Sequence, residues 1–201
     1  MTGLALGVRQ RVCASAHHPT RRFVAMSAAV ASPSTTKLTA IPLTPETFKP
    51  FGQVIGASED GKPFDMEDAQ LQGFSDGTPR FYIMRIPKRG LHFNRITYHA
   101  KVTQCLGVLS PPAPWYMAVA RPSGSVDNFP TAQDLTVFRI PHGVFVKMEK
   151  GTWHAGPLFD SHESMDFYNL ELSDTNVVDH NSHNYGNEIG DFLIEDPVAQ
   201  P

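Results

Sequence analysis

The chain is nearly free of cysteine: Cys13 and Cys105 are the only two among 201 residues. Two isolated cysteines build neither a disulfide framework nor a cysteine zinc site. Cys105 lies in an apolar stretch and reads as a buried, reduced thiol, which suits a reducing compartment. No run approaches the roughly eighteen apolar residues that a membrane helix needs. Excess positive charge is missing too. Lys and Arg number 17 against 20 Asp and Glu, a formal net charge of −3, which argues against a nucleic-acid partner. There is no Gly-rich phosphate loop, no Gly-x-Ser-x-Gly elbow, no His-Glu-x-x-His and no dinucleotide fingerprint. Nucleotide chemistry and the common hydrolase designs are thereby disfavoured.

Acid is absent from residues 1–45, and Glu46 is the first carboxylate. This span carries Arg9, Arg11, Arg21 and Arg22 among Ser, Thr and Ala, the make-up of an organelle transit peptide. Residues 1–36 are expected to be a leader and linker addressed to the mitochondrion, with the chloroplast as the alternative. A start at Met26 would leave a cytosolic form. Residues 37–179 are expected to be the folded domain, and residues 180–201 a loosely attached polar tail with a short strand at Phe192–Ile194.

Helix signals are scarce. Thr44-Pro45-Glu46-Thr47-Phe48 reads as an N-cap and first turn, and a second short helix is expected at Met66–Leu71. The rest is β-like. Arg80–Ile86, Leu91–His99, Thr103–Leu109, Trp115–Ala120, Leu135–Ile140, Val144–Met148 and Met165–Leu172 are rich in aromatic and branched residues or alternate apolar with polar. Turns such as Pro122-Ser123-Gly124 and Pro141-His142-Gly143 separate them. The pattern predicts a mainly β fold, an antiparallel sandwich or barrel with few short helices.

One turn, Gly151-Thr152-Trp153-His154-Ala155-Gly156-Pro157-Leu158, holds a Trp–His pair between two strands. An imidazole there can bind a metal or move a proton near neutral pH. A second cluster, His99 with Thr103 and Gln104, would supply partners. His99, Gln104 and His154 converging from adjacent strands would make a jelly-roll pocket able to take a divalent metal, though a metal-free pocket is an equal reading. Asp166 and Asn169 are three apart, so strict alternation puts them on opposite faces of their strand. Asp166 stands among apolar residues and ranks first, since a buried carboxylate must find a partner. Arg80, Arg85, Arg95 and Lys147 are candidates for an anionic substrate. His180 and His183 fall in the polar tail and receive no catalytic part.

Assembled, these motifs resemble the ureidoglycolate lyase family from about Leu38 to Asp174. The resemblance rests on Pro42-Leu43-Thr44-Pro45-Glu46-x-Phe48, Phe51-Gly52-Gln53-Val54-Ile55, Arg80-Phe81-Tyr82 and His99-x-x-x-Thr103-Gln104. The Trp–His turn and Asp166-Phe167-Tyr168-Asn169-Leu170 complete it. It is strongest toward the plant and algal branch. It implies a cupin-like β-barrel, often dimeric, that cleaves ureidoglycolate to glyoxylate and urea in purine and allantoin catabolism, with nickel as the divalent metal. His99, Gln104 and His154 match the family's pocket positions, and Arg80 and Asp166 match recurrent polar ones. Two departures stand out. Bacterial members carry a His–Glu pair near Asn94-Arg95, and His-His where this chain has His154-Ala155.

The reaction asks for a base at the substrate hydroxyl and an acid at the leaving urea nitrogen. The expected roles are His154 or His99 for the proton, Asp166 to orient or shuttle, Arg80 for the carboxylate and Gln104 for the ureido or hydroxyl group. Thr103, Trp153 and Asn169 complete the expected substrate-contacting set. A small-molecule-binding barrel without catalysis is the alternative from another class, and a metal-dependent isomerase or dioxygenase a third.

Overall fold

A computed structural model describes Thr2, residues 35–187 and residues 190–198. The chain runs β1 (Thr35–Pro42), α1 (Pro45–Phe48), β2 (Gly52–Ile55), β3 (Pro79–Pro87), β4 (His92–Phe93), β5 (Arg95–Tyr98), β6 (Gln104–Ser110) and β7 (Trp115–Ala120). It continues with β8 (Thr136–Ile140), β9 (Phe145–Met148), β10 (Trp153–Leu158), β11 (Ser164–Leu172), α2 (Thr175–Val178), β12 (Asn181–Asn184) and β13 (Asp191–Glu195). One sheet has the order β12-β5-β10-β7-β8-β1-β13-β4, the other β2-β9-β6-β11-β3. Together they form the expected cupin-like jelly roll. It is not wholly antiparallel, because β1 pairs in parallel with both β8 and β13.

Local chemistry explains several elements. Thr44 caps α1 by accepting from the Thr47 N–H at 3.2 Å, and Pro45 takes the first position, where no N–H is needed. The expected helix at Met66–Leu71 is instead turn and loop. Asp65 and Asp68 bind nearby backbone N–H groups, and the Gln53 amide bonds Met66 O, Asp68 O and Gln70 N. Such side-chain bonds outcompete a helical turn.

The predicted strand Leu91–His99 is cut at Asn94. β4 pairs with β13, whereas β5 pairs with β10 and β12. The short strand expected at Phe192–Ile194 is present as β13, but the segment around it is no loose tail. Asn181–Asn184 and Asp191–Glu195 are strands of the eight-stranded sheet, with Tyr185, Phe192 and Ile194 buried. Alternation in Asp191-Phe192-Leu193-Ile194-Glu195 turns two large apolar groups inward while the polar ones face out. The expected leader, residues 1–36, lies almost wholly outside the described residues. Its last two, Thr35 and Thr36, already pair with Asp191 and Phe192.

Two apolar clusters hold the domain. One lies between the sheets, around Trp115, Met117, Phe138, Val146 and Phe167. The other lies on the opposite face of the larger sheet, around Phe93, Ile96, Trp153, Tyr185 and Phe192. Each fully buried side chain of this size contributes roughly 1.5–3 kcal/mol. Cys105 is buried and free, and burial pushes its thiol up to about 12, so it is an inert thiol at neutral pH. Among the described residues no helix is long and apolar enough to cross a membrane.

Candidate active site

Alternation along β5 turns Arg95 and Thr97 to one face and Ile96 and Tyr98 to the other. The first face, continued by His99, borders a cavity of about 400 Å³ between the two sheets. His154 enters from β10, where it pairs with Thr97. Gly151, at φ +80°, makes the left-handed turn before it, and the Gly151 N–H donates to His99 O at 2.7 Å. The turn and the His99 strand end are thus tied together. Tyr82, Gln104, Asn169 and Glu171 line the opposite wall. A larger cleft of about 610 Å³ beside Arg121 and Phe129 has no histidine in its lining.

Both imidazoles are buried and held by main-chain carbonyls. His99 Nδ1 lies 2.7 Å from Asp179 O, and His154 Nδ1 lies 3.2 Å from Thr152 O. A carbonyl only accepts, so Nδ1 carries a proton in each ring, and the neutral tautomer this contact selects is the one with its lone pair on Nε2. The ring centroids are 5.2 Å apart, with His180 at 5.9 Å from His99. Burial, then the neighbouring His99 and His180 rings, pushes the His154 imidazole down to about 3. His154 is therefore neutral at physiological pH and a weak base. Burial and His99 also lower His180.

The opposite wall is a network centred on Glu171, which is 1% exposed. Its Oε1 accepts from Tyr82 OH at 3.2 Å and Asn176 Nδ2 at 3.0 Å, and its Oε2 from Gln104 Nε2 at 3.0 Å. Arg80 lies 3.8 Å away. Asn169 Nδ2 donates to Tyr82 OH at 3.0 Å. The carboxylate orients the Gln104 amide directly and the Asn169 amide through Tyr82 OH, and Gln104 Oε1 and Asn169 Oδ1 are left as buried acceptors without a hydrogen-bond partner. Orphaned acceptors of this kind call for a donor or a cation.

The structure brings together Arg95, His99, Gln104, His154 and Asn169, and it disperses the rest of the predicted set. Asp166 faces outward, in a bidentate pair with the exposed Arg85 at 2.8 and 2.9 Å. It is therefore no catalytic group of this cavity. Its apolar neighbours misled because β11 carries apolar residues on both faces. Arg80 borders the site without lining it, stacked 3.7 Å over the Tyr82 ring. Thr103 anchors a loop by bonding the Gln72 N–H and carbonyl. Trp153 faces the second core and donates to Ser123 Oγ at 2.9 Å. Lys147 is buried against Glu149. Sequence reading missed Glu171, Asn176, Arg89 and His180, all of which line the cavity. Glu171 was within reach, since it shares the parity of Asn169 on β11.

Two open Nε2 atoms, Gln104 Oε1 and Asn169 Oδ1 are the cavity's free donors toward a cation. Among the described residues no three His, Cys, Asp or Glu side chains group as metal ligands, so an amide oxygen, that of Gln104 or Asn169, would have to be the third.

Fold and site together define a cupin-like jelly roll whose buried imidazoles and polar cavity suit proton transfer on a small polar substrate. The chain belongs to the ureidoglycolate lyase family, whose model matches residues 35–198. No curated protein matches it. Among solved structures, vicilin from hazelnut, Corylus avellana, is 16% identical over 63% of this chain and 30% of its own, with a TM-score of 0.34. An oxalate decarboxylase is 11% identical over 67% of this chain and 28% of its own, at 0.34. RmlC from Streptococcus suis, solved with dTDP-D-xylose, is 13% identical over 69% and 71%, at 0.33. The chain spans less than a third of the vicilin and the decarboxylase. Likenesses this small say nothing of its activity.

Proposed function

We propose that this protein is a carbon–nitrogen lyase of the amidine-lyase type that cleaves ureidoglycolate to glyoxylate and urea. Family membership supports the substrate. The observation that carries the chemistry is the pair of buried imidazoles whose Nδ1 atoms are tied to main-chain carbonyls, leaving their Nε2 atoms for the cavity. Ureidoglycolate is a carbinolamide. His99 Nε2 takes the hydroxyl proton, the O–H electrons form the aldehyde carbonyl, and the C–N bond breaks. The proton then passes to the departing ureido nitrogen, giving urea. His154, held to about 3, is a poor proton carrier and serves as a hydrogen-bond acceptor. Arg89 and Arg95, both at the cavity, are the cations for the substrate carboxylate in place of Arg80.

The orphaned Gln104 Oε1 favours a second mode. His99, Gln104 and His154 would hold a divalent ion such as nickel, which would supply Lewis-acid polarisation of the hydroxyl oxygen. The deciding experiment follows glyoxylate release from wild type, His99→Gln and chelated protein. His99→Gln is expected to lose about 10²-fold or more, and near-normal release from it sinks the assignment. Loss on chelation with recovery on nickel selects the metal mode.

The reading carries three further proposals. The reaction belongs to a late step of purine and allantoin breakdown. The acid-free, Arg-containing residues 1–36 direct the protein to the mitochondrion. The working form is a homodimer, for which Phe81, Ile83 and Tyr168, 70%, 56% and 39% exposed on the outer face of the smaller sheet, offer an apolar surface.

A further inference from the structure

Asp179 follows α2, in a segment whose composition gives no hint of function. It is 4% exposed, so its carboxylate is buried. Its Oδ1 accepts the Ala100 N–H and its Oδ2 the Lys101 N–H, both at 2.8 Å. Asn181 Nδ2 donates to Oδ1 at 3.1 Å. Ala100 and Lys101 directly follow His99, and the Asp179 main-chain carbonyl meets His99 Nδ1 at 2.7 Å. One residue thus grips the chain beyond His99 with its side chain and the ring with its backbone. The same segment is bolted to the cavity on both sides, by Asn176 to Glu171 at 3.0 Å and by Ser182 to Thr97 at 2.8 Å.

We infer that Asp179 is a positioning residue: by holding the Ala100 and Lys101 amides it sets its own carbonyl against His99 and fixes the tautomer that leaves Nε2 unprotonated at the cavity. The inference builds on the reading of His99 as the group that meets substrate. The carbonyl alone would not suffice, because any residue has one. What is particular to Asp is two acceptor oxygens matched to two successive N–H groups. Asparagine has the same shape but turns an NH₂ toward one of those N–H groups, and the grip fails. Tautomer control by an outer hydrogen bond is typically worth about 10- to 100-fold in activity.

The test uses the full ¹⁵N-labelled chain with chelator present, reading histidine tautomers from long-range ¹H–¹⁵N spectra, with His99 assigned by its loss in His99→Gln. In wild type, His99 is expected with Nδ1 protonated and Nε2 bare. In Asp179→Asn the signal should move toward a tautomer mixture, and kcat should fall by about 10- to 100-fold with KM changed far less. Val177→Ala, an 84% exposed position on α2, should alter neither. A folded Asp179→Asn with the wild-type tautomer and kcat overturns the inference, as does a wild-type His99 protonated at Nε2. Should Asp179→Asn not fold, Asn181→Ala replaces it, with a smaller shift in the same direction expected and no shift refuting the idea. A wild type that turns over no ureidoglycolate, with the tautomer shift still seen in Asp179→Asn, would sink the lyase reading and leave the positioning role standing.

Discussion

Acid should destabilise this protein through His154. The folded imidazole is held near 3, against about 6.5 when exposed. Below pH 6.5 the unfolded chain binds a proton at this position that the folded chain refuses, so acidification favours unfolding. Between pH 7 and pH 5 the unfolded state gains about 2 kcal/mol from this one group. The figure depends on the unfolded value, because at pH 5 the folded ring is still neutral. Against a typical stability of roughly 5–15 kcal/mol that is a large fraction. With a guanidinium m-value of about 4 kcal/mol/M, the unfolding midpoint should fall by about 0.5 M. The assay is guanidinium unfolding at pH 7 and pH 5, with chelator, on wild type and His154→Gln. The variant should lose distinctly less than wild type over the same interval. Parallel losses in the two proteins would show that His154 is not held neutral in the fold, and the reasoning from its burial would be refuted.

Other outcomes follow from the same geometry. Glu171→Gln removes the charge and replaces one of the two acceptor oxygens that serve Tyr82, Asn176 and Gln104 with an NH₂ donor. It should cost about 1–3 kcal/mol in thermal or chemical unfolding, and steady-state assays should show kcat reduced; unchanged kcat would remove the network from the site. Asp166→Ala should leave kcat and KM near wild type and stability within about 1 kcal/mol, since its Arg85 partner is 75% exposed; a large loss of activity would restore the catalytic part its sequence context suggests. Phe192 is fully buried, stacked 4.9 Å from Phe93. Phe192→Ala should therefore cost about 3–5 kcal/mol by denaturant unfolding, whereas a loosely attached tail would lose almost nothing.

What could be read in the sequence was local. Thr44-Pro45 announced its cap, and the strands with period-two runs appeared close to their predicted bounds. The mainly β, sandwich-or-barrel class followed from their number and spacing, and the cupin-like jelly roll from the family resemblance. The pairing of His99, Gln104 and His154 in one cavity was also legible, because each lies at the end of a recognisable strand or turn. What stayed hidden was decided by distant partners. Nothing local splits Leu91–His99; the cut at Asn94 arises because β13 and β10 claim the two halves. Parity separated Asp166 from Asn169 but could not say which faces inward. That depends on the β3 and β6 registers, which set Asn169 opposite Tyr82 and Leu106. Asp179 and His180 lay in polar text whose few aromatic residues, Tyr185 and Phe192, were the only sign that it folds back onto the sheet.

The central claim is tested most directly by the products. Purified full-length chain is incubated with ureidoglycolate, with chelator or with added nickel, and glyoxylate, urea and ammonia are measured together over time. Glyoxylate and urea should rise in equal amounts, well above the uncatalysed rate, without ammonia. Ammonia in place of urea would mean hydrolysis of the ureido group and a different bond broken. No product under either condition, with glyoxylate still bound by the protein, would contradict the lyase and leave a binding barrel.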